Sequence, residues 1–155
     1  QVEHTITEMI TGVDLVKLGI RVAAGESLPI TQEEIEFSGH AIQCRLNAED
    51  PTNFVPSPGK LWDCHFPGGR GVRVDTHAHI GYEMPGCFDS LLAKLIVWGQ
   101  DREEAIAKMK AALKETTLIG VETVIPLHKA ILDEPDFIAR DITIQYLENH
   151  PNLLR

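Results

Sequence analysis

The sequence predicts an α+β domain, an antiparallel β-sheet with helices packed on it. Three observations point there. Segments of period-two or short apolar character cluster between residues 40 and 99. Gly- and Pro-bearing turns join them. The best helical pattern, 101–119, follows them. At 155 residues the chain is about one domain's worth and can bury a core without staples.

In chain order, QVEHTITE (1–8) alternates, with Val2, His4 and Ile6 on one face and Gln1, Glu3 and Thr5 on the other, which predicts a strand. After Gly12, Val13, Val16 and Ile20 recur at helical spacing. A helix over 13–25 follows, with Asp14 as cap and Gly25 at its end. Thr31 and Glu34 form a capping box for a short turn of helix. Composition changes near residue 37, so we divide the chain into 1–37 and 38–155. HAIQCRLN (40–47) alternates cleanly, turning His40, Ile42, Cys44 and Leu46 one way and Ala41, Gln43, Arg45 and Asn47 the other. Strands at 59–66 and 71–79 are joined through Pro67-Gly68-Gly69. SLLAKLIVWG (90–99) is an apolar run read as a strand. Asp101 and Glu104 open the helix at 101–119, whose apolar face carries Ile106, Met109 and Leu113. Pro126 suits the first turn of a helix at 126–132 that stops before Pro135. A last helix covers 143–149.

Acidic residues outnumber basic ones, 23 to 14, for a net charge of −9, which argues against nucleic acid as a partner. No apolar run approaches the roughly 20 residues that span a bilayer, so no membrane partner is expected. Cys44, Cys64 and Cys87 form no CxxC, which suggests neither a zinc ribbon nor a disulfide framework and fits a reduced, cytoplasmic compartment. The opening Gln1-Val2-Glu3-His4, without Met, reads as a piece cut from the middle of a gene.

QVEHTITEMITGVDLVK resembles the end of the ATP-grasp domain of biotin-dependent carboxylases. GHAIQCRLNAEDP, FVPSPGK, PGGRGVRVDTH and GYEMPGCFDSLLAKLIVWG resemble, in that order, the biotin carboxylase C-terminal domain. The resemblance implies an ATP-dependent carbon–nitrogen ligase that makes carboxyphosphate from bicarbonate and ATP and then carboxylates biotin. On this view residues 1–37 end the ATP-grasp domain and 38–155 form the C-terminal domain.

Site residues carry over by position. Gln1, Val2 and Glu3 match the bicarbonate motif, with Glu3 as general base. Arg45 matches the biotin-site arginine, whose permanent charge suits an enolate oxygen. Asp89 matches an acidic position beside it, Ile144 an apolar residue against adenine, and Arg73 an arginine of the dimer interface. Met84-Pro85-Gly86-Cys87-Phe88 departs from the family's Pro-Pro-Tyr-Tyr run, leaving one aromatic where the family has two. ATP, magnesium or manganese, bicarbonate and biotin are implied for the full-length enzyme; the piece itself is expected to bind none of them and to be inactive. Implied partners are a second copy, the biotin carboxyl carrier protein and a carboxyltransferase, by default within acetyl-CoA carboxylase and fatty acid biosynthesis. The alternatives are a dimerisation or docking module, and the C-terminal domain of another ATP-grasp ligase, from purine synthesis.

Three features are set aside. His77 and His79, with His65, have no ligand spacing that supports zinc. Lys110 in KMKA lies within a helix pattern and lacks the flanks of a biotin-carrier motif. GGRG (68–71) lacks phosphate-loop spacing and reads as a turn.

Overall fold

The computed structural model describes residues 2–154. The elements are α1 (His4–Thr11), α2 (Leu15–Ala23), a 3₁₀ turn (Gln32–Glu34), β1 (His40–Asn47), β2 (Gly59–Lys60), β3 (Asp63–His65), β4 (Val72–Thr76), β5 (Glu83–Met84), β6 (Leu91–Gly99), α3 (Arg102–Glu115), β7 (Thr117–Ile119), α4 (Ile125–Asp133), α5 (Pro135–Ala139) and α6 (Tyr146–Asn149). The main sheet is antiparallel, in the order β1-β6-β4, and two-stranded ladders join β2 to β5 and β3 to β7. This is the α+β class that the sequence predicts.

Alternation along the strands gives the main sheet two different faces. Ile42, Cys44 and Leu46 of β1, Ala93, Leu95 and Val97 of β6, and Val72 and Val74 of β4 point one way. They pack on Ala105, Ile106, Met109, Ala112 and Leu113 of α3 and on Ile125 and Leu132 of α4. A smaller core gathers Ala48, Leu61, Ala78, Met84 and Leu92 under the two ladders. Helix α3 is capped as its sequence predicts: the Asp101 carboxylate accepts from the Glu104 N–H at 2.9 Å, and Glu104 accepts from the Gln100 N–H at 2.6 Å. Asp101→Ala should cost about 1 kcal/mol. In thermal unfolding that reads as a loss of roughly 2–4 °C.

Several elements differ from their sequence reading. Residues 4–11 are helix, not strand. Over so short a stretch, alternating Thr and Ile satisfy either period; an i,i+4 contact between His4 and Glu8 and a left-handed Gly12 cap support helix, and seating on β1 and β6 decides for it. The segment 59–66 is two strands, because Leu61 turns into the small core while Trp62 stays exposed. Strand β4 stops at Thr76, whose hydroxyl donates to the Leu92 carbonyl and accepts from the Ala78 N–H, so His77 and His79 leave the strand face. Helix α3 ends at Glu115, where Thr116 and Thr117 turn the chain into β7. Pro135 does not merely stop α4; it starts α5.

Candidate functional site

The second face of the main sheet is polar. Gln43 and Arg45 of β1, Lys94 of β6, and Arg73 and Asp75 of β4 project from it, and α1 lies across β1 and β6. Registers place Arg45, Lys94 and Asp75 in one row across three strands. Helix α1 is pinned by the Thr5 hydroxyl, wholly buried, which donates to the Gln43 side-chain oxygen.

Glu3 caps the N-terminus of α1 in a right-handed helical conformation, so the period-two reason for placing it beside Gln1 does not hold. Gln1 lies outside the described residues. The Val2 carbonyl accepts from the Thr5 hydroxyl at 3.3 Å. What brings Glu3 to Arg45 is the seating of α1 on β1: a carboxylate oxygen stands 3.8 Å from an Arg45 guanidinium nitrogen, and both side chains are more than half exposed. The Arg45 carbonyl is held from the other side by His128 of α4, whose ring Nε2 donates to it at 2.8 Å. Burial lowers the His128 pKa and favours the neutral ring, and the hydrogen bond to the Arg45 carbonyl offsets this in part.

Under α1 the charges close into a ring. Arg73 makes a bidentate pair with Asp75, at 2.8 and 2.9 Å, and reaches Glu8 at 2.6 Å. Glu8 faces His4 Nδ1 at 3.2 Å, His4 Nε2 faces the Lys94 ammonium at 3.2 Å, and Lys94 returns to Asp75 at 3.5 Å. Hydrogen bonds from Arg73, against some burial, hold the Asp75 carboxyl below its ordinary 3.8. Burial would raise Glu8, but Arg73 and His4 together outweigh it and lower it. A depressed carboxyl stabilises the fold fully above its unfolded pKa, and that contribution is lost as pH falls through the folded value. Asp75→Asn should therefore flatten the fall of the urea midpoint between about pH 5 and pH 2, relative to wild type.

Of the other site residues, Asp89 is exposed, and among the described residues the only carboxylate paired with Arg45 is that of Glu3. Ile144 sits in the turn before α6 with its side chain wholly in solvent, not on a buried helix face. Phe88 is exposed, while Met84 of the same segment is buried. His77 and His79 stand edge-on to Tyr82, at 5.0 and 5.8 Å. Among the described residues no group of three or more His, Cys, Asp or Glu is placed to hold a metal ion, and no helix is long and apolar enough to cross a membrane. Lys110 pairs with Asp133. Burial pushes the Cys44 thiol up to about 12, which leaves it inert. His4, Glu8, Lys94 and His128 escape sequence reasoning. Lys94 alone had a signal, as the single charge in LLAKLIVWG.

The structure is thus an antiparallel sheet backed by helices on one face, with an arginine and a carboxylate meeting on the other. The chain belongs to the biotin carboxylase C-terminal domain family: the family model so described matches residues 43–149. A second, Carbamoyl-phosphate synthase L chain, ATP binding domain, matches residues 1–31. The biotin carboxylase of Haemophilus influenzae is 53% identical over 148 residues, covering 96% of this chain and 33% of that protein. Biotin carboxylase 1 of Bacillus subtilis is 49% identical over 151 residues, covering 97% and 34%. The solved biotin carboxylase domain dimer of Hydrogenobacter thermophilus 2-oxoglutarate carboxylase, in complex with MgADP, ADP and bicarbonate, superposes with a TM-score of 0.96. It is 49% identical and is covered to 34% by the whole of this chain. The chain thus spans about a third of the length of the relatives it matches.

Proposed function

We propose that this chain supplies the biotin-facing part of a biotin carboxylase, in which ATP and bicarbonate form carboxyphosphate and biotin is carboxylated. The observation that carries the reading is the meeting of Glu3 and Arg45, 3.8 Å apart and open to solvent on the polar face. In that role Glu3 takes the bicarbonate proton. Arg45 stabilises the negative charge that grows on the biotin ureido oxygen as its ring nitrogen gives up its proton to the phosphate released with CO₂ from carboxyphosphate, which readies that nitrogen to attack CO₂. Gln1 and the Val2 N–H complete the bicarbonate grip. Ile144, fully exposed, offers an apolar surface to adenine. Asp89 matches the family's acidic position near that arginine and would orient it. The proton transfer and the charge stabilisation assigned to this chain run through Glu3 and Arg45.

We place the domain boundary near residue 37, a reading supported by family matches over 1–31 and 43–149. The parent works in the cytoplasm as a homodimer with a biotin carboxyl carrier protein and a carboxyltransferase, by default in acetyl-CoA carboxylase. The dimer contact runs along the Arg73 edge. The test is ATP turnover by the full-length protein with bicarbonate, with and without free biotin. Bicarbonate-dependent ADP release that biotin stimulates is the expected result. Turnover indifferent to biotin would favour a different ATP-grasp ligase. This chain alone should release no ADP, and steady release from it would overturn the division of labour.

A further inference from the structure

We propose that Lys94 and His4 are positioning residues that set the direction of the Glu3 carboxylate. The inference rests on the reading of Glu3 as the base that activates bicarbonate.

Three observations carry it. First, Lys94 stands directly opposite Arg45 in the β1–β6 register. Like charges facing each other across a ladder are destabilising. A lysine in an otherwise apolar strand, beside another cation, needs a reason. Second, Lys94 is largely buried, with its side chain 16% exposed, while the Glu3 and Arg45 side chains are 65% and 56% exposed. It is therefore placed beneath the site and not in it. Third, its ammonium has two partners, Asp75 Oδ2 at 3.5 Å and His4 Nε2 at 3.2 Å. An ammonium only donates, so His4 Nε2 accepts, and the ring proton sits on Nδ1, facing Glu8 Oε1 at 3.2 Å. The imidazole is thereby hydrogen-bonded at Nε2 and stands within ion-pair distance of Glu8 at Nδ1. His4 opens α1 and follows Glu3 directly in the chain. Fixing its ring fixes the first turn of the helix, and with it the direction in which Glu3 leaves the backbone.

Docking of α1 does not depend on this contact. Arg73 to Glu8 and Thr5 to Gln43 hold the helix on the sheet without Lys94. Removing the ammonium should free the His4 ring while α1 stays seated. A misplacement of about 1 Å at a reacting group costs as much as roughly 100-fold in rate.

The experiment uses the full-length enzyme with ATP, bicarbonate and free biotin. Lys94→Met should lower kcat for bicarbonate-dependent ATP hydrolysis and for biotin carboxylation together, by about 10- to 100-fold. The KM for ATP should be unchanged. Lys94→Arg, which keeps a donor for both partners, should recover most of the rate. Hydrogen exchange should rise at the first turn of α1 and not in β1 or β6. Wild-type rates in Lys94→Met would overturn the inference. So would failure of Lys94→Arg to recover, with exchange raised throughout the sheet, because that pattern marks a purely structural lysine. If the wild-type enzyme shows no biotin-stimulated turnover, the functional reading fails and this inference with it. A normal wild type beside an unimpaired Lys94→Met removes this inference alone.

Discussion

Arg45→Ala in the full-length enzyme should cut biotin carboxylation by about 100- to 1,000-fold, the usual loss when one pre-organised donor to a developing oxyanion is removed. Bicarbonate-dependent ATP hydrolysis should fall far less. On the proposed function, the asymmetry follows from where the guanidinium would act. It is exposed on the polar face and free to meet a ligand that arrives after carboxyphosphate has formed. Glu3, 3.8 Å away, needs it only as a partial counter-ion. A weak, exposed ion pair of that kind contributes about 0–1 kcal/mol, too little for its loss to explain a large effect on the first step. Parallel measurement of carboxybiotin and ADP decides the matter. Equal losses in the two assays would remove Arg45 from the biotin step.

Gly120→Ala should be among the most damaging single-methyl changes in the chain. Gly120 follows β7 at φ 119°, a backbone state that L-residues rarely adopt. A Cβ there would overlap the Lys60 carbonyl oxygen and stand 2.9 Å from Trp62 Cδ1. Strain at such a backbone position costs about 1–3 kcal/mol before any clash, so a total near 3 kcal/mol is expected. That corresponds to roughly 6–12 °C in the unfolding midpoint. Gly68→Ala is the control. Nothing lies within 4 Å of its added methyl, and the change should stay within about 0.5 kcal/mol. Equal midpoints for the two variants would show that the β3–β7 ladder adjusts freely, contrary to this account.

Strong, long-range patterning was legible from the residues alone. The alternation of HAIQCRLN gave β1 with its ends, and with it the polar side from which Arg45 emerges. The Asp101–Glu104 cap and the apolar stripe of Ile106, Met109 and Leu113 gave α3. Short segments were not legible, because two or three residues carry no period. Strands β5 and β7 exist only because partners far along the chain pair with them. The opening segment misled for a related reason. Its side chains suit strand or helix, and its contacts with β1 and β6, remote in sequence, choose helix. Arg45 was visible through the resemblance of its neighbours. The supports around it were not, since Lys94 and His128 come beside the Arg45 strand only by folding.

The hydrogen bond from His128 to the Arg45 carbonyl ties the strand that carries Arg45 to a helix that comes much later in the chain. Anyone trimming or splicing this protein inherits that tie. A cut before residue 125, however convenient for expression, would leave β1 intact on paper while withdrawing the brace behind its central arginine.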